Sequence, residues 1–516
     1  MEVSLNIVIR LAAWWFFMGG TVSASPLEQL SPGPWATAHW DWDFGVTQTS
    51  HPLSGAPLWV DHYGRLTYPS DGSGGALPPV SSDGPFPLVV FGHGRFQSGP
   101  TLWKNHLETG YLMDRLASWG IVATSVNLDV VGSWGSPAGI PQRGDIILST
   151  IARTLDVDAQ PGEPPRGLEQ AIDATRMALL GHSRGGEGVV SAALKNLESL
   201  SPYPILAVGY VASTDFEEYA LREVPLMALY GSKDGDVGNG WPIEVHDRAT
   251  SSEKIFEYIH GANHFWFTEN ITYSGEGDAD ISRDLHHAIC MGYLAGFAYR
   301  KLVDPGLGSQ VFCDGDEMAP LTRRAEIHPM YRHPRRVSVD DFERNFSLER
   351  ASSGAEVVID GFTGIREISL IGNTFYHRTR GFEGDWSTPS FSRWMVRGDV
   401  PVDISPFSCF SVKFAQRESS RLNTPGKPQD VWVGMADAEK NVARVRLSDY
   451  GTIPWPETHS GSRFPKKTVL RTTRIPLAEF VAANPALDLT RIQYAGWGPG
   501  LTDSGQVEFD DLEFTR

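Results

Sequence analysis

One short segment, MALLGHSRGGEG, constrains this chain more than any other, because it predicts a buried strand, a sharp turn and a helix in immediate succession. Residues 177–180 are apolar and indicate the end of a strand, while residues 186–193 are small or apolar and indicate the start of a helix. Ser183 lies in the turn between Gly181 and Gly185, which bring no side chain into it. The spacing is that of a G-x-S-x-G nucleophile elbow, which exposes a serine hydroxyl between a strand and a helix.

Two later segments supply the residue types that activate a serine. The run VPLMALY predicts a strand and is followed by Asp234 in GSKDGDV, and KIFEYI predicts another strand and is followed by His264 in HGANHF. Asp236 and His260 are the alternatives at these two positions. Asp234 comes first after its strand, and His264 lies beyond its strand in a loop, so both are preferred. The sequence therefore predicts a catalytic triad in the order Ser183, Asp234, His264.

An earlier strand, PLVVF, is followed by the glycine-rich segment GHGRF. A serine hydrolase needs backbone N–H groups that hold the oxyanion, one after the nucleophile and one from such a loop. The expected donors are the amides of Arg184 and Arg95, with Phe96 as the alternative to Arg95. The side chains of Arg95 and Arg184 are alternatively placed to recognise an acidic or hydroxylated substrate. Phe96, Phe265 and Trp266 adjoin these loops and are expected to line an apolar substrate pocket.

Residues 55–302 resemble one branch of the α/β-hydrolase superfamily in the order of YPSD, PLVVFGHGRF, LASWGIVATSVN, GHSRGGEG, LYGSKDGDV and GANHF. That branch contains bacterial cutinases and polyester hydrolases, dienelactone hydrolases, platelet-activating-factor acetylhydrolases and chlorophyllases, and GHSRGG is particularly similar to the chlorophyllase form. The resemblance implies an α/β-hydrolase fold, a mostly parallel sheet with flanking helices. It also implies Ser183 as nucleophile, His264 as general base and Asp234 as the acid that orients it. Arg184 departs from the pattern, since cutinases usually carry methionine there.

The 516 residues exceed what one hydrophobic core usually organises, so more than one domain is expected. The first segment predicts a secretory signal peptide over residues 1–24, with a membrane anchor as the alternative, and hence a secreted or periplasmic protein. A catalytic domain is expected over residues 25–304 and a linker over residues 305–336. The net charge of −18 argues against nucleic acid or an anionic membrane as a main partner.

From residue 337 to residue 516 the pattern changes to short alternating strands such as CFSVKF, DVWVGMA, ARVRL and VEFDDLEF. Such strands predict an antiparallel sandwich. The two ends of this region resemble the jelly-roll domains of carbohydrate-binding modules and galactose-binding-like folds. Trp432, Trp455 and Trp497 are candidates either for stacking on sugar rings or for the core. The expected role of this domain is to attach the enzyme to a polysaccharide or to pack on the catalytic domain.

The chain has three cysteines, Cys290, Cys313 and Cys409. In an oxidising compartment a disulfide between Cys290 and Cys313 is predicted, which leaves Cys409 as the odd thiol. No cysteine spacing indicates zinc, and the acidic run at 313–317 lacks the repeated ligands of a calcium loop. Neither a metal nor a cofactor is expected.

Together these patterns predict a secreted serine hydrolase that cleaves carboxylic esters, including polymeric or acylated polysaccharide substrates, through an acyl-enzyme. An amidase or peptidase with the same triad is one alternative. The other is a carbohydrate-binding protein whose hydrolase domain is inactive.

Overall fold

The computed structural model describes residues 31–95, 104–132, 139–162, 165–273, 276–306, 309–313, 318–344, 346–372, 375–388, 393–456 and 467–516. The predicted signal peptide and Phe96 lie outside the described residues. Within those ranges, no helix has the length and apolar character needed to cross a bilayer.

Residues 36–332 contain one nine-stranded sheet, with its strands in the order β1-β2-β4-β3-β5-β6-β7-β8-β9. Its strands are β1 (Ala36–Ser50), β2 (Pro57–Ser70), β3 (Phe86–Gly92), β4 (Val122–Val126), β5 (Ile172–His182), β6 (Ile205–Val211), β7 (Leu226–Gly231), β8 (Lys254–Ile259) and β9 (Ile327–Arg332). The strands from β4 to β8 pair in parallel. The outer strands β1, β2 and β9 pair antiparallel.

Helices cover both faces of this sheet. They are α1 (Gly110–Ser118), α2 (Asp129–Gly132), α3 (Ile140–Asp158), α4 (Arg184–Leu197), α5 (Trp241–Arg248), α6 (Arg283–Cys290), α7 (Gly296–Leu302) and α8 (Ala319–Thr322), and α9 (Leu477–Ala483) follows much later in the chain. Every residue of β3 is buried, and its side chains alternate between two apolar layers: Leu88 and Val90 enter one, Val89 and Phe91 the other. The strands that carry the site are therefore held from both sides.

Residues 336–516, here called the C-terminal unit, form two antiparallel sheets. The larger contains β10 (Arg336–Asp340), β12 (Gly364–Gly372), β13 (Phe375–Trp386), β15 (Cys409–Ala415), β18 (Arg471–Pro476) and β20 (Gly505–Thr515). The smaller contains β11 (Glu356–Asp360), β14 (Arg393–Val402), β16 (Trp432–Asp437), β17 (Val442–Arg446) and β19 (Ile492–Gly498). Aromatic rings fill the space between them: Phe509 lies 4.9 Å from Trp394 and 5.8 Å from Trp497, measured between ring centroids.

The predicted fold class, an α/β-hydrolase with a mostly parallel sheet and flanking helices followed by a jelly-roll or galactose-binding-like sandwich, is wrong. Among the described residues, strand accounts for 37% and helix for 23%, so this part of the chain is largely β. Its first sheet is mixed, because antiparallel strands extend it at both edges. The sequence pattern assigned no strand to residues 36–50, and β9 falls within residues 305–336, the range predicted as a linker.

Candidate active site

Four loops meet at the carboxyl end of the parallel strands, which is where open sheets of this kind place ligands. Ser183 directly follows β5, and Asp234 and His264 follow β7 and β8. The segment from His93 to Arg95 follows β3, the neighbour of β5. Residues that are far apart in the chain therefore come together from β3, β5, β7 and β8, with only β6 between β5 and β7.

Ser183 occupies a strained backbone conformation, with φ 56° and ψ −128°. A positive φ is unfavourable for a residue with a side chain, and such strain is concentrated at functional sites. The turn is tight enough to require glycine at Gly185, since a Cβ there would lie 2.0 Å from the carbonyl oxygen of Gly92. β5 ends at His182 and α4 begins at Arg184, so the predicted strand, turn and helix are present.

Asp234 and His264 form a fully buried pair, in which Nδ1 of His264 lies 2.8 Å from Oδ2 of Asp234. The other oxygen of Asp234 accepts the backbone N–H groups of Val237 at 2.7 Å and Asp236 at 3.0 Å. Asp236 itself is half-exposed and lies 3.6 Å from Nε2 of His264. Of the two carboxylates considered from the sequence, Asp234 is the one placed to fix the histidine tautomer.

The environment of His264 favours its protonated form. Burial disfavours the imidazolium, but the charge of Asp234 and the hydrogen bond to it outweigh burial and raise the pKa of His264 to about 9. Its Nε2 atom has no hydrogen-bond partner among the described residues, so Ser183 and His264 are not yet bonded. His182, which precedes Ser183 in the chain, lies next to His264, with 4.7 Å between the two ring centroids. Catalytic hydrogen bonds of this kind often tighten only in the substrate complex.

Glu276 is a residue of this site that the sequence did not reveal. Its buried carboxylate accepts the backbone N–H of His264 and, at 3.3 Å, that of Phe265. Burial and the nearby Asp234 raise the pKa of Glu276 to about 8. Glu276 lies in a loop with no recognisable motif, and its role follows only from its contact with the backbone that carries the histidine.

Of the predicted oxyanion donors, Arg184 directly follows Ser183 in the chain, and Arg95 follows a glycine that lies close to Ser183. Arg184 is the first residue of α4, where backbone N–H groups have no partner within the helix. A Cβ on Gly94 would lie 2.7 Å from Cβ of Ser183, so the segment that leads to Arg95 passes directly beside Ser183. The guanidinium of Arg184 lies over the ring of Phe216, with 5.2 Å from its central carbon to the ring centroid.

The predicted pocket residues have different surroundings. Phe265 is buried, with its ring centroid 4.8 Å from that of His264, so it contributes apolar surface next to that histidine. Trp266 instead contacts α6, where it lies near Arg283 and 5.8 Å from His286. The ring of Trp266 therefore packs against α6.

The predicted disulfide between Cys290 and Cys313 is not formed. Both residues and Cys409 are free thiols. Cys290 is the last residue of α6 and packs among apolar side chains, and burial raises the pKa of its thiol to about 12. The prediction rested on the expected compartment, which cannot place two sulfur atoms within bonding geometry.

A second polar cluster could hold a metal ion. His260, Glu326 and His328 place three potential ligand atoms within 4.8 Å of one another. The same atoms already form a chain of hydrogen bonds, with 3.0 Å between the two imidazoles and 2.7 Å from His328 to Glu326. Burial and the nearby Arg471 contribute to lowering the pKa of His328 to about 4. Hydrogen bonding thus accounts for the arrangement without a cation.

The C-terminal unit carries a groove of about 1060 Å³ on the face of the smaller sheet that is turned away from the core. Gly434 and Gly496 pair across its floor. Its lining includes Trp432 and Tyr494 together with four exposed basic residues, which are Arg393, Arg397, Lys440 and Arg444. Trp497 belongs to the core with 3% exposure, and Trp455 is outside the lining.

Comparison with protein-family models gives no matching family, and comparison with curated proteins gives no match.

Proposed function

We propose that this protein is a serine hydrolase that cleaves carboxylic esters. The observation that carries the proposal is the buried hydrogen bond of 2.8 Å between His264 and Asp234, next to a serine held at a φ of 56°. The Ser-His-Asp arrangement recurs on unrelated folds and is recognised by the geometry and roles of its members. The proposal therefore rests on the site and not on a fold class.

In the proposed reaction, Oγ of Ser183 attacks the ester carbonyl while Nε2 of His264 accepts the hydroxyl proton. Asp234 holds the imidazole in position, and the amides of Arg184 and Arg95 stabilise the oxyanion. The alcohol leaves with the proton from His264, and an acyl group remains on Ser183. Water then attacks the acyl group with His264 again as base, which releases the acid and restores the serine.

The test compares the wild-type protein with Ser183→Ala on p-nitrophenyl esters of increasing acyl length. We expect turnover by the wild type and a loss of about four to six orders of magnitude in kcat in the variant. Ser191→Ala is the matched control, since Ser191 is a buried serine on α4 that contacts Tyr219 at 3.4 Å. A fluorophosphonate should label the wild type at Ser183. An unlabelled Ser183 and no ester turnover would contradict the proposal.

Matched p-nitroanilides, measured in parallel, distinguish an esterase from an amidase with the same triad. We expect the ratio of ester to anilide cleavage rates in the presence of the protein to exceed the same ratio for uncatalysed hydrolysis. Equal efficiency on esters and amides would reassign the site to amide hydrolysis.

We propose further that the groove of the C-terminal unit binds an acidic polysaccharide. Its four basic residues stand out in a chain with a net charge of −18, and two aromatic side chains offer surfaces for sugar rings. Arg393 and Arg397 are already placed across the strands from carboxylates, 3.7 Å from Asp360 and 3.3 Å from Glu356. Uronate groups can replace these exposed partners, because such surface pairs are weak.

Affinity electrophoresis in polygalacturonate tests this binding, with a neutral galactan as comparison. We expect retardation by the acidic polymer alone, weakened by salt and by the double change Arg393→Ser and Arg397→Ser. Arg344→Ser is the control, since Arg344 is an exposed arginine of the same unit outside the groove. Equal retardation by both polymers would contradict a site for acidic chains.

A further inference from the structure

Lys467 is a buried cation that the C-terminal unit places against the loop carrying Asp234. Its ammonium donates hydrogen bonds to the backbone oxygens of Ser232 at 2.6 Å and of Asp234 at 3.2 Å. It also lies 5.3 Å from the ring centroid of Tyr230, the residue before the end of β7. Lys467 is 2% exposed, so these contacts replace the water that would otherwise solvate its charge.

The charges around Lys467 belong to the candidate active site. Burial opposes ionisation of Asp234, but His264 and, to a lesser extent, Lys467 lower the pKa of its carboxyl. Asp234 and Glu276 in turn attract the ammonium of Lys467. His264, in turn, faces the carboxylates of Asp234, Asp236 and Glu276 and the ring of His182. Lys467 thus brings a positive charge to a site in which Asp234, Asp236 and Glu276 stabilise the imidazolium of His264.

We propose that Lys467 is a positioning residue for the Asp234–His264 pair, so that the C-terminal unit completes the active site of the N-terminal sheet. The inference rests on the proposed serine hydrolase function. Two contributions follow from the contacts. The hydrogen bonds to Ser232 and Asp234 fix the backbone from which the carboxylate projects, and the ammonium opposes the excess stabilisation of the imidazolium by the surrounding acids.

The two contributions depend differently on pH. Burial lowers the pKa of Lys467 to about 8 against the attraction of Asp234 and Glu276, so the side chain is charged below that pH and neutral above it. Its hydrogen bonds to the carbonyl oxygens persist in both forms, because a neutral amine still donates. Removal of the lysine should therefore cost most at neutral pH, where both the charge and the hydrogen bonds are lost.

The experiment measures the rate at which a fluorophosphonate labels Ser183 in the full-length protein, as a function of pH, for the wild type and Lys467→Met. We expect labelling of the variant to be slower by roughly 10- to 100-fold at pH 7, the scale on which small misplacements act. The deficit should narrow toward pH 9.5, where the wild-type lysine is also neutral. Ester hydrolysis should show the same trend in kcat, with little change in KM.

Lys254→Met is the matched control. Lys254 is also a buried lysine that donates to two backbone oxygens, those of His246 at 2.9 Å and Asp247 at 3.1 Å, and burial lowers its pKa to about 8. Its hydrogen bonds are to α5 and not to the triad, so its loss should not produce a deficit that varies with pH. If Lys467→Met does not fold, Lys467→Gln removes the charge while keeping a donor and should retain the deficit at pH 7.

The outcomes separate this inference from the function on which it rests. A wild-type Ser183 that the probe does not label overturns the proposed hydrolase function, and the role of Lys467 with it. A labelled wild type with the same rate in Lys467→Met overturns the role of Lys467 alone. A deficit of equal size at every pH, or the same pH-dependent deficit in Lys254→Met, also overturns it.

Discussion

Asp234 and His264 meet where neither side chain is accessible to water, so each determines the protonation of the other. A charge in such surroundings acts much more strongly than it would in solvent. In the proposed reaction His264 must be neutral to accept the serine proton, so with a pKa of about 9 for His264 we expect any ester hydrolysis to rise with pH through the alkaline range.

Replacement of Asp234 by Asn tests this dependence. We expect kcat to fall by about 10⁴-fold, because the imidazole loses the acceptor that orients it. The remaining activity should reach its plateau at lower pH than in the wild type, because the pKa of His264 falls once the carboxylate charge is gone. The measurement is the pH profile of kcat/KM.

Asp236→Asn is the control for that change, since Asp236 is half-exposed and lies on the Nε2 side of the ring. Its effect on kcat should be far smaller. If Asp236→Asn were the more damaging of the two changes, the assignment of Asp234 as the orienting acid would be wrong.

Single residues differ in how far local sequence reveals them. Ser183, Asp234 and His264 each follow a recognisable apolar strand, so their positions could be predicted from the chain alone. Glu276 and Lys467 reach the same site from segments without a motif, and only the folded chain brings them there. A contact between segments that are distant in the chain cannot be predicted from the hydrophobic periodicity of either segment.

The loop after β3 passes very close to Ser183. Gly94→Ala places a Cβ 2.7 Å from Cβ of Ser183, which forces the loop or the serine to move. We expect kcat to fall by about 10²-fold or more, since the oxyanion donors lose their alignment. Steady-state kinetics alongside thermal unfolding would measure both effects.

Gly306→Ala is a suitable comparison, because the nearest atom to a Cβ there is a side-chain oxygen of Asp304 at 3.2 Å, and Asp304 has no role in the candidate site. It should leave the kinetics unchanged. A Gly94→Ala protein with wild-type kcat would show that this loop does not contribute to the oxyanion site.

At the scale of elements, the sequence predicted strands and helices better than their arrangement. The strand before Ser183 and the helix after it are β5 and α4. The antiparallel strands β1 and β9 were not anticipated, and they turn the expected parallel sheet into a mixed one. The apolar pattern of a strand reports burial, but it does not specify the partner or the direction of pairing.

At the scale of the whole molecule, the two halves share a buried polar contact. One oxygen of Asp247, on α5, lies 2.9 Å from Nδ1 of His377 and accepts the backbone N–H of Arg378 at 3.0 Å. Burial opposes ionisation of Asp247, but the nearby His377 and His246 outweigh burial and hold the pKa of Asp247 well below its usual range. The contact therefore stabilises the fold above the ordinary carboxyl pKa and is lost only as pH falls through the depressed value.

Asp247→Ala should reduce the free energy of unfolding by about 3 kcal/mol, because it leaves buried donors without an acceptor. Calorimetry should show one transition for the wild type and separate transitions for the variant. Glu439→Ala, which removes an exposed partner of Arg491, should change little. A wild-type melting profile in Asp247→Ala would mean that this contact does not couple the halves.

The path of the chain between the two halves is very short. Only residues 333–335 separate β9, in the first sheet, from β10, in the C-terminal unit, and Arg335 donates back to His333 at 2.9 Å within them. The groove therefore belongs to a unit that is joined to the first sheet by three residues and not by a long linker. If the groove binds a polymer as proposed, the length of polymer between the bound segment and the ester that reaches Ser183 should vary little. The products of hydrolysis should then have regular lengths.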